Sequence, residues 1–576
     1  MKKTVLKITV IFLAVLFISQ LHASEWSRIW GSTAVDENGH PVVDIFGNVY
    51  VAGTTVGAFG GETNVGSWDL CLTKFDISGS TLWTRIWGST ASDHIGSLDT
   101  DNSGNIYVTG RTGGNISGQN NNGDFDLVLT KFNGIGGELW TRLIGSAVAD
   151  KGYDIAADSS EYIYACGSTE GSFDGELNSG GEDFLIVKYD SNGSNIWTRI
   201  IGSTTNDIAN GICVDNAQNI YVAGDSSGGF GGQSALGAQD AYLVKYNTNG
   251  QLQWTRIFGT ATSDYFYGVC VDNAGYIYAA GSTRGSIGGQ INNGSADLLL
   301  TKFNSEGSNL WSRIWGSSTY DSANDVCIGS DGNIYITGYT WGEFGGQTNA
   351  GFSDLCLAKF NSDGNILASK IWGASGPDSG CGIDADPFEN IYVAGSSYGT
   401  FGGQTHIGDT DLCLTRFYGQ CPPNDNFVNA IEISETNVTV IGTNVNATAE
   451  TGEPVHAGSP PNHSIWWKWT APFDGELSIG TFGTYFDTVI AAYTGDQVNN
   501  LTLIDENDDV WPFSFSNLST DVTAGVTYNI VVDSGSAGDT GIIKLNIDFI
   551  PEPVSLLFTI CYVIIIIQKK VVGQSM

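Results

Sequence analysis

The sequence predicts an all-β protein, a seven-bladed β-propeller followed by a small β-sandwich. Three observations support this prediction. A 57-residue unit recurs without insertion or deletion from Trp26 to about residue 417. Each unit contains four strand-like runs separated by turn residues. The composition, with 77 glycines, 11% aromatic and only 15% charged residues, favours strands and turns over helices.

The repeat is visible as columns of residues spaced 57 positions apart. Tryptophan fills one column in six units and alanine fills it in the seventh: Trp26, Trp83, Trp140, Trp197, Trp254, Trp311 and Ala368. A tyrosine column from Tyr50 to Tyr392 keeps the same interval in all seven units. In the fifth unit the strand-like runs are 252–259, 267–272, 276–281 and 297–303. Four antiparallel strands repeated seven times predict a propeller, whereas the alternative, a solenoid, would need capping repeats.

The ends of the repeat region predict how the ring closes. The chain supplies the first run at Trp26 to Gly31, and the fourth run of the last unit at Asp411 to Phe417. A tight hairpin joins a fourth run to the next first run in every other unit. We therefore expect residues 25–31 to pair with residues 411–417, which would remove two exposed sheet edges.

Three blocks recur in order in these units: W-[TS]-R-I-x-G-S, N-I-Y-V-A-G and D-L-x-L-x-K-F. This pattern resembles the SBBP-type bacterial β-propeller repeat over residues 26–417. The resemblance implies an exported or surface protein, and it assigns no activity.

Two acidic columns recur in all seven units. The first contains Asp36, Asp93, Asp150, Asp207, Asp264, Asp321 and Asp378, and the second contains Asp69, Asp126, Asp183, Asp240, Asp297, Asp354 and Asp411. One interpretation is structural, with these carboxylates capping turns and pairing with the repeated Lys and Arg of the blade. The other interpretation is a ligand or cation face, because the expected topology places both columns on the face that holds the long loops.

The pattern changes at Cys421-Pro422-Pro423, and residues 424–549 contain alternating apolar runs typical of a β-sandwich. Blocks such as Asn424-Asp425-Asn426-Phe427 and Ile465-Trp466-Trp467-Lys468-Trp469 resemble the bacterial pre-peptidase C-terminal-like domain. Since some related sandwiches bind calcium, Asp425, Asp487, Asp508 and Asp509 are candidate calcium ligands. A solvated acidic loop is the alternative.

Both ends of the chain predict export. Residues 1–23 resemble a signal peptide, with Lys2, Lys3 and Lys7 before an apolar run. Residues 551–570 combine Pro551-Glu552-Pro553, an apolar stretch and Lys569-Lys570, which resembles the PEP-CTERM sorting signal. That resemblance implies an exosortase-type processing protease and a secreted or cell-envelope location in a bacterium. A membrane anchor is the alternative for the tail.

The remaining signals bear on function. A net charge of −37 argues against nucleic acid as a partner. Cys71, Cys166, Cys356 and Cys413 occupy small apolar columns, so we expect free thiols there. No recurring histidine or acid–base constellation appears. The sequence therefore predicts a non-catalytic exported scaffold that binds extracellular polysaccharide or a surface protein. The alternative is a carbohydrate-active propeller enzyme, a lyase or glycosidase, with carboxylates at the propeller centre.

Overall fold

A computed structural model describes residues 24–552 apart from 45–46, 230, 388, 418–421, 423, 445–446, 485, 510–513 and 537–539. The predicted signal peptide, and the predicted sorting tail from residue 553 onward, lie outside the described residues. The chain divides into two compact units, Met1–Gly419 and Gln420–Met576. Within the described part of the chain, no helix has the length and apolar character needed to span a bilayer.

The prediction of an all-β chain is confirmed. The strands of the first unit are β1 (Ser24–Trp30), β2 (Asp36–Val43), β3 (Val49–Thr55), β4 (Asp69–Phe75), β5 (Thr81–Trp87), β6 (Asp93–Thr100), β7 (Ile106–Thr112), β8 (Asp126–Phe132), β9 (Glu138–Ile144), β10 (Asp150–Ala157), β11 (Ile163–Thr169), β12 (Asp183–Tyr189), β13 (Asn195–Ile201), β14 (Asp207–Val214), β15 (Ile220–Ser226), β16 (Asp240–Tyr246), β17 (Leu252–Phe258), β18 (Asp264–Val271), β19 (Ile277–Thr283), β20 (Asp297–Phe303), β21 (Asn309–Trp315), β22 (Asp321–Ile328), β23 (Ile334–Thr340), β24 (Asp354–Phe360), β25 (Ile366–Trp372), β26 (Asp378–Ala385), β27 (Ile391–Ser397) and β28 (Asp411–Phe417).

These strands form a succession of four-stranded antiparallel sheets. We number them from the first sheet, β2-β3-β4-β5, to the sixth, β22-β23-β24-β25, and the seventh is β26-β27-β28-β1. The first strand of each sheet contacts the first strand of the next sheet, and β26 contacts β2, so these inner strands form a ring. Between neighbouring sheets the side chains are apolar. Val42, Tyr50 and Leu70 of the first sheet pack on Leu98 and Val108 of the second.

Closure of the ring by the two ends of the repeat region is confirmed. Strand β1 pairs antiparallel with β28, with Trp26 opposite Arg416 and Trp30 opposite Leu412. The same alignment joins β4 to β5, where Lys74 lies opposite Trp83. The closing strand is therefore integrated as an ordinary outer strand of the seventh sheet.

One end of every sheet holds both acidic columns. In the first sheet, Asp36 pairs with Thr55, and Thr55 in turn pairs with Asp69. The long loops that join the second and third strands of each sheet, such as residues 56–68 between β3 and β4, leave from this same end. We call this end of the first unit the loop face. The prediction that both acidic columns lie at the end with the long loops is confirmed.

The second unit consists of two sheets around one apolar core. Its strands are β29 (Ile431–Ile433), β30 (Asn437–Thr443), β31 (Ile465–Thr470), β32 (Gly475–Gly480), β33 (Thr488–Thr494), β34 (Thr502–Asn507), β35 (Asn517–Val522), β36 (Thr527–Ser534) and β37 (Ile542–Pro551). One sheet has the order β29-β31-β36-β33-β34 and the other β30-β37-β32-β35. Trp467 and Ile530 of the first sheet and Ile479 and Leu545 of the second belong to the same buried cluster.

Candidate functional site

All seven carboxylates of the first acidic column are buried, with at most 1% of each residue exposed. Asp321 shows the arrangement. Its Oδ2 accepts the Ser317 N–H at 2.6 Å and the Ser317 hydroxyl at 2.8 Å, and Oδ1 accepts the Thr340 hydroxyl. The equivalent N–H four residues before the aspartate donates in all seven units, for example from Ser32 to Asp36 at 2.6 Å. Each carboxylate thus caps the loop that enters an inner strand.

The second acidic column is equally buried and caps the neighbouring loop. Asp126 Oδ2 accepts the Asn122 N–H at 2.8 Å, and Asp297 Oδ2 accepts the Asn293 N–H at 2.8 Å. This placement matches the capping interpretation and leaves no accessible carboxylate from either column for a ligand face. The expected pairing of these aspartates with the repeated Lys and Arg is wrong. The second acidic column lies at the opposite end of its strand from the lysine column, and the first lies on an inner strand that carries neither basic column.

The basic columns instead join successive sheets. Lys131 Nζ donates to the Ser191 carbonyl at 3.2 Å and lies 4.8 Å from the centre of the Tyr107 ring. Arg142 Nε donates to the Gly193 carbonyl at 2.7 Å. Carbonyl hydrogen bonds, cation–π contacts and ion pairs with acids outside the two columns, such as Lys131 with Asp101 at 3.8 Å, satisfy these charges.

The two acidic columns meet between sheets, where they enclose a glycine. A Cβ atom on Gly145 would lie 2.6 Å from Asp126 Oδ1 and 2.7 Å from Asp150 Oδ2. Glycine fills this column in every unit: Gly31, Gly88, Gly145, Gly202, Gly259, Gly316 and Gly373. Burial, reinforced by the carboxylate of Asp150, raises the pKa of Asp126 to about 6. The repeated acids and glycines therefore form one structural motif between neighbouring sheets.

The inner strands also carry four acids that do not recur through the repeat. Asp99 and Asp384 share one column, and Asp154 and Asp325 share another. Each accepts a backbone N–H from the inner strand of the following sheet, as Asp99 does from Ala157 at 2.8 Å. Burial, with contributions from the other central carboxylates, raises the pKa of Asp99 to about 7 and that of Asp325 to about 8.

Three thiols continue the column of Asp99 and Asp384. Cys213, Cys270 and Cys327 come from consecutive inner strands, and each is a free cysteine. Burial raises the pKa of all three thiols well above the usual range. The predicted free thiols of Cys71, Cys166, Cys356 and Cys413 are confirmed and buried, whereas Cys421 and Cys561 lie outside the described residues.

Each inner strand contains a bulge three residues after its first aspartate. The register shifts at Gly96, Tyr153, Asn210, Tyr267, Asn324 and Cys381, and between Glu37 and His40 in the first sheet. A bulge re-aims the extra side chain and is common next to functional sites. The bulges were not predicted from the sequence, since the bulged column and the columns on either side of it all vary between the repeats.

Further non-repeating residues lie at the loop-face end of the inner two strands. The column after the first aspartate reads Glu37, His94, Lys151, Ile208, Tyr265, Ser322 and Ser379, and its partner column reads Thr54, Arg111, Ser168, Asp225, Ser282, Tyr339 and Ser396. They make local contacts of differing chemistry. Lys151 pairs with Glu182 at 2.6 Å, and the His94 and Trp68 rings lie 5.6 Å apart. We call these columns, the bulged residues and the adjoining loop residues the rim.

In the second unit, three of the four candidate calcium ligands converge. One carboxylate oxygen from each of Asp487, Asp508 and Asp509 lies within 4.8 Å of the others. Asp508 and Asp509 are exposed, and burial followed by the charge of Asp509 raises the pKa of Asp508. Oxygen ligands of this kind suit a hard divalent cation.

Asp425 belongs elsewhere in the second unit. It is buried, and its carboxylate accepts the Thr448 N–H at 2.5 Å and the Thr448 hydroxyl at 3.0 Å. Capping a loop explains this aspartate, and the structure does not place it with the other three candidates.

With this geometry established, comparisons with known proteins give the class of repeat. The SBBP family, described as a beta-propeller repeat, matches residues 139–174, 196–231 and 253–288. The first unit has a propeller fold. These three matched segments follow one another at the 57-residue interval of the sequence.

The curated relatives are distant. The chain is 24% identical over 267 residues to the Regulatory protein FlaEY of Caulobacter vibrioides, which is 40% of this chain and 28% of that protein. It is 24% identical over 266 residues to an uncharacterized WD repeat-containing protein of Acanthamoeba polyphaga mimivirus, covering 35% of this chain and 19% of that one. The matches thus span less than a third of either relative.

Among solved structures, YCF48 bound to D1 peptide is similar with a TM-score of 0.35 and 10% identity, over 70% of this chain and 98% of that chain. A glycoside hydrolase family 43 arabinoxylan arabinofuranohydrolase from Bacillus subtilis is similar with a TM-score of 0.26 and 11% identity, over 90% and 96% of the two chains.

Proposed function

We propose that this protein is an exported, non-catalytic binding scaffold of the cell surface or extracellular matrix, with extracellular polysaccharide as its partner. In this proposal the seven sheets are the blades of a seven-bladed β-propeller. The second unit is a β-sandwich of the pre-peptidase C-terminal-like kind. Residues 1–23 direct export, and an exosortase-type protease processes the PEP-CTERM-like tail.

One observation carries the binding proposal. The residues that recur in every unit have structural roles: they cap loops, form hydrogen bonds between sheets or belong to the apolar core. The rim, by contrast, is built largely from residues that do not recur, and it lies on one face of the ring. Loops and edges on a rigid scaffold commonly carry binding function, since they vary without disturbing the fold.

Binding of the purified protein to a glycan array tests this proposal. We expect retention of a limited set of polysaccharides, with heat-unfolded protein as the control. Absence of binding to every glycan, together with specific binding to a surface protein in a parallel pull-down, would replace polysaccharide by a protein partner.

The central acids favour a second candidate, a carbohydrate-active enzyme. Asp99, Asp154, Asp325 and Asp384 come from different sheets, and pKa values of about 6 to 8 suit proton transfer near neutral pH. Their hydrogen bonds to neighbouring inner strands support a structural role equally. Release of reducing ends or unsaturated products from bound polysaccharide, abolished by Asp325→Asn but not by Asp521→Asn, would establish the enzyme.

For the second unit, we propose calcium binding by Asp487, Asp508 and Asp509. Calorimetric titration with Ca²⁺ should show one site that the double variant Asp508→Asn/Asp509→Asn loses. Asp521→Asn is the matched control, because Asp521 is an exposed aspartate of the same unit outside the cluster. Equal heats for the double variant and the wild type would leave the cluster a solvated acidic loop.

For the tail, intact-mass measurement of the exported protein tests processing. Removal of residues from near Pro551 onward supports sorting, and a C-terminus at Met576 in surface-extracted protein supports anchoring.

A further inference from the structure

Five aromatic side chains lie on the rim of the fifth and sixth sheets, in one group on each sheet. Tyr265 and Tyr267 of β18 stack with ring centres 5.8 Å apart and planes inclined by 6°. Tyr320, just before β22, stacks on Tyr339 of β23 at 6.0 Å and 14°. The Trp341 ring lies 6.0 Å from that of Tyr320. We call these five residues the aromatic row.

The two halves of the aromatic row lie on neighbouring sheets, whose first strands β18 and β22 contact each other. Burial, followed by the phenol of Tyr320, raises the pKa of Tyr267. Within the second half, the Trp341 backbone N–H donates to the Tyr320 carbonyl at 3.0 Å. The row therefore extends from β18 of the fifth sheet to the loop after β23 of the sixth.

The fold does not require these aromatic residues. Units other than the fifth place Glu37, His94, Lys151, Ile208, Ser322 and Ser379 where Tyr265 stands. At the position of Trp341 the other units have Val56, Gly113, Glu170, Ser227, Arg284 and Tyr398. Trp341 is 59% exposed, which no requirement of packing explains. An exposed tryptophan beside four half-buried tyrosines gives the rim an aromatic patch, and such patches mark binding surfaces.

A polar network borders the row on the side of the fourth sheet. Asp225 is 4% exposed, and its carboxylate accepts amide N–H groups from Asn210 at 2.8 Å and from Gln239. Gln239 Oε1 in turn accepts the Tyr265 hydroxyl at 3.0 Å. Asn210 and Tyr267 are both bulged residues, so adjacent sheets use the same irregularity to direct a polar and an aromatic side chain to the rim.

We propose that the aromatic row and its bordering network bind an uncharged pyranose polysaccharide, with sugar rings stacked on the tyrosine and tryptophan faces. This inference rests on the proposed function and assigns it to one site. The inference goes beyond the proposed function because it names both the contact residues and the charge class of the glycan.

The chemistry of the site matches that ligand. A pyranose presents C–H bonds on a flat face, which pack on aromatic rings, and hydroxyl groups at its edge, which pair with amides, carboxylates and phenols. The Asp225 carboxylate is 4% exposed and already accepts two amide N–H groups, so it is engaged within the protein rather than presented to a cationic sugar. The net charge of −37 repels polyanionic glycans.

Affinity electrophoresis of the full protein in gels containing hydroxyethyl cellulose, xyloglucan, galactomannan or laminarin tests the proposal, with alginate as the anionic comparison. We expect retardation by at least one neutral polysaccharide and none by alginate. Trp341→Ala and Tyr320→Ala should each weaken binding about tenfold, whereas Tyr320→Phe should retain most of it because the ring is kept. Ile135→Ala is the control, since Ile135 is 78% exposed in the turn after β8, at the opposite end of the sheets.

The outcomes separate the site from the general function. Unchanged binding in Trp341→Ala and Tyr320→Ala overturns the site and leaves the binding scaffold standing. Failure of the wild type to bind any neutral polysaccharide while it binds alginate overturns the charge class. Failure to bind any glycan overturns both proposals, and binding of a proline-rich peptide in the same assay then identifies the row as a peptide surface. Equal melting temperatures of all variants show that lost binding is not lost folding.

Discussion

Replacing Gly145 by alanine tests whether the two acidic columns and the glycine between them form one unit. The new Cβ would lie 2.6 Å from Asp126 Oδ1 and 2.7 Å from Asp150 Oδ2. Neither oxygen can withdraw freely. Asp150 holds the Ser146 N–H at 2.6 Å, and Asp126 holds the Asn122 N–H at 2.8 Å. The substitution must therefore shift the backbone or break a buried hydrogen bond.

The magnitude follows from those two choices. Overpacking of a well-filled site costs about 1–3 kcal/mol. Loss of one buried hydrogen bond to a charged group adds about 1.5–3 kcal/mol. We expect Gly145→Ala to lower the free energy of unfolding by about 3–5 kcal/mol, which urea denaturation followed by tryptophan fluorescence measures as a lower midpoint.

The matched control is Gly113→Ala. At Gly113 the nearest atom to a new Cβ is the Ser92 carbonyl oxygen at 3.3 Å, and other units carry side chains at that position. Its midpoint should stay within about 0.5 kcal/mol of the wild type. Equal midpoints for the two variants would refute the enclosure of Gly145 by fixed carboxylates.

Three further predictions concern the ring and its centre. Ile29→Ala and Ile200→Ala should each cost about 2–4 kcal/mol in urea denaturation, because both side chains are 8% exposed in equivalent outer strands; a negligible cost for Ile29 alone would contradict closure by β1. The pKa values of about 6 for Asp126 and about 8 for Asp325 exceed those of an unfolded chain, so the native state binds more protons and stability should rise as pH falls from 7.5 to 5.5; a lower urea midpoint at pH 5.5 would be inconsistent with these shifts. Cys213 and Cys270, with raised thiol pKa values, should resist iodoacetamide at pH 8 until urea unfolds the protein, and rapid native alkylation seen by mass spectrometry would contradict this.

The sequence sufficed to predict the strand order and the ring closure that the repeat enforces. Strand number, closure of β1 on β28 and the common end of the acidic columns all follow from fixed spacing and hairpin turns. The free cysteines were predicted for the same reason, since a column shared with leucine and valine is a core position. Convergence of Asp487 with Asp508 and Asp509 was suggested by residue type alone, because sequence gives no distances between loops.

The missed features all involve contacts between sheets or departures from the repeat. The basic columns were expected to pair with the two acidic columns, yet Lys131 binds Asp101, which lies outside them, and the Ser191 carbonyl of the following repeat. The central acids and the aromatic row come from different sheets, so residues such as Asp99 and Asp325 are far apart in sequence. The bulges left no clear trace in the sequence, because the bulged column and the columns on either side of it all vary between the repeats.

Closure by β1 also sets an order in time. The strand that completes the seventh sheet is made first, and its partner β28 is made after all the other repeats. During synthesis, β1 therefore has no partner until almost 400 residues later. The ring closes only when β28 is available, and the long separation in sequence between the pairing strands makes that step slow.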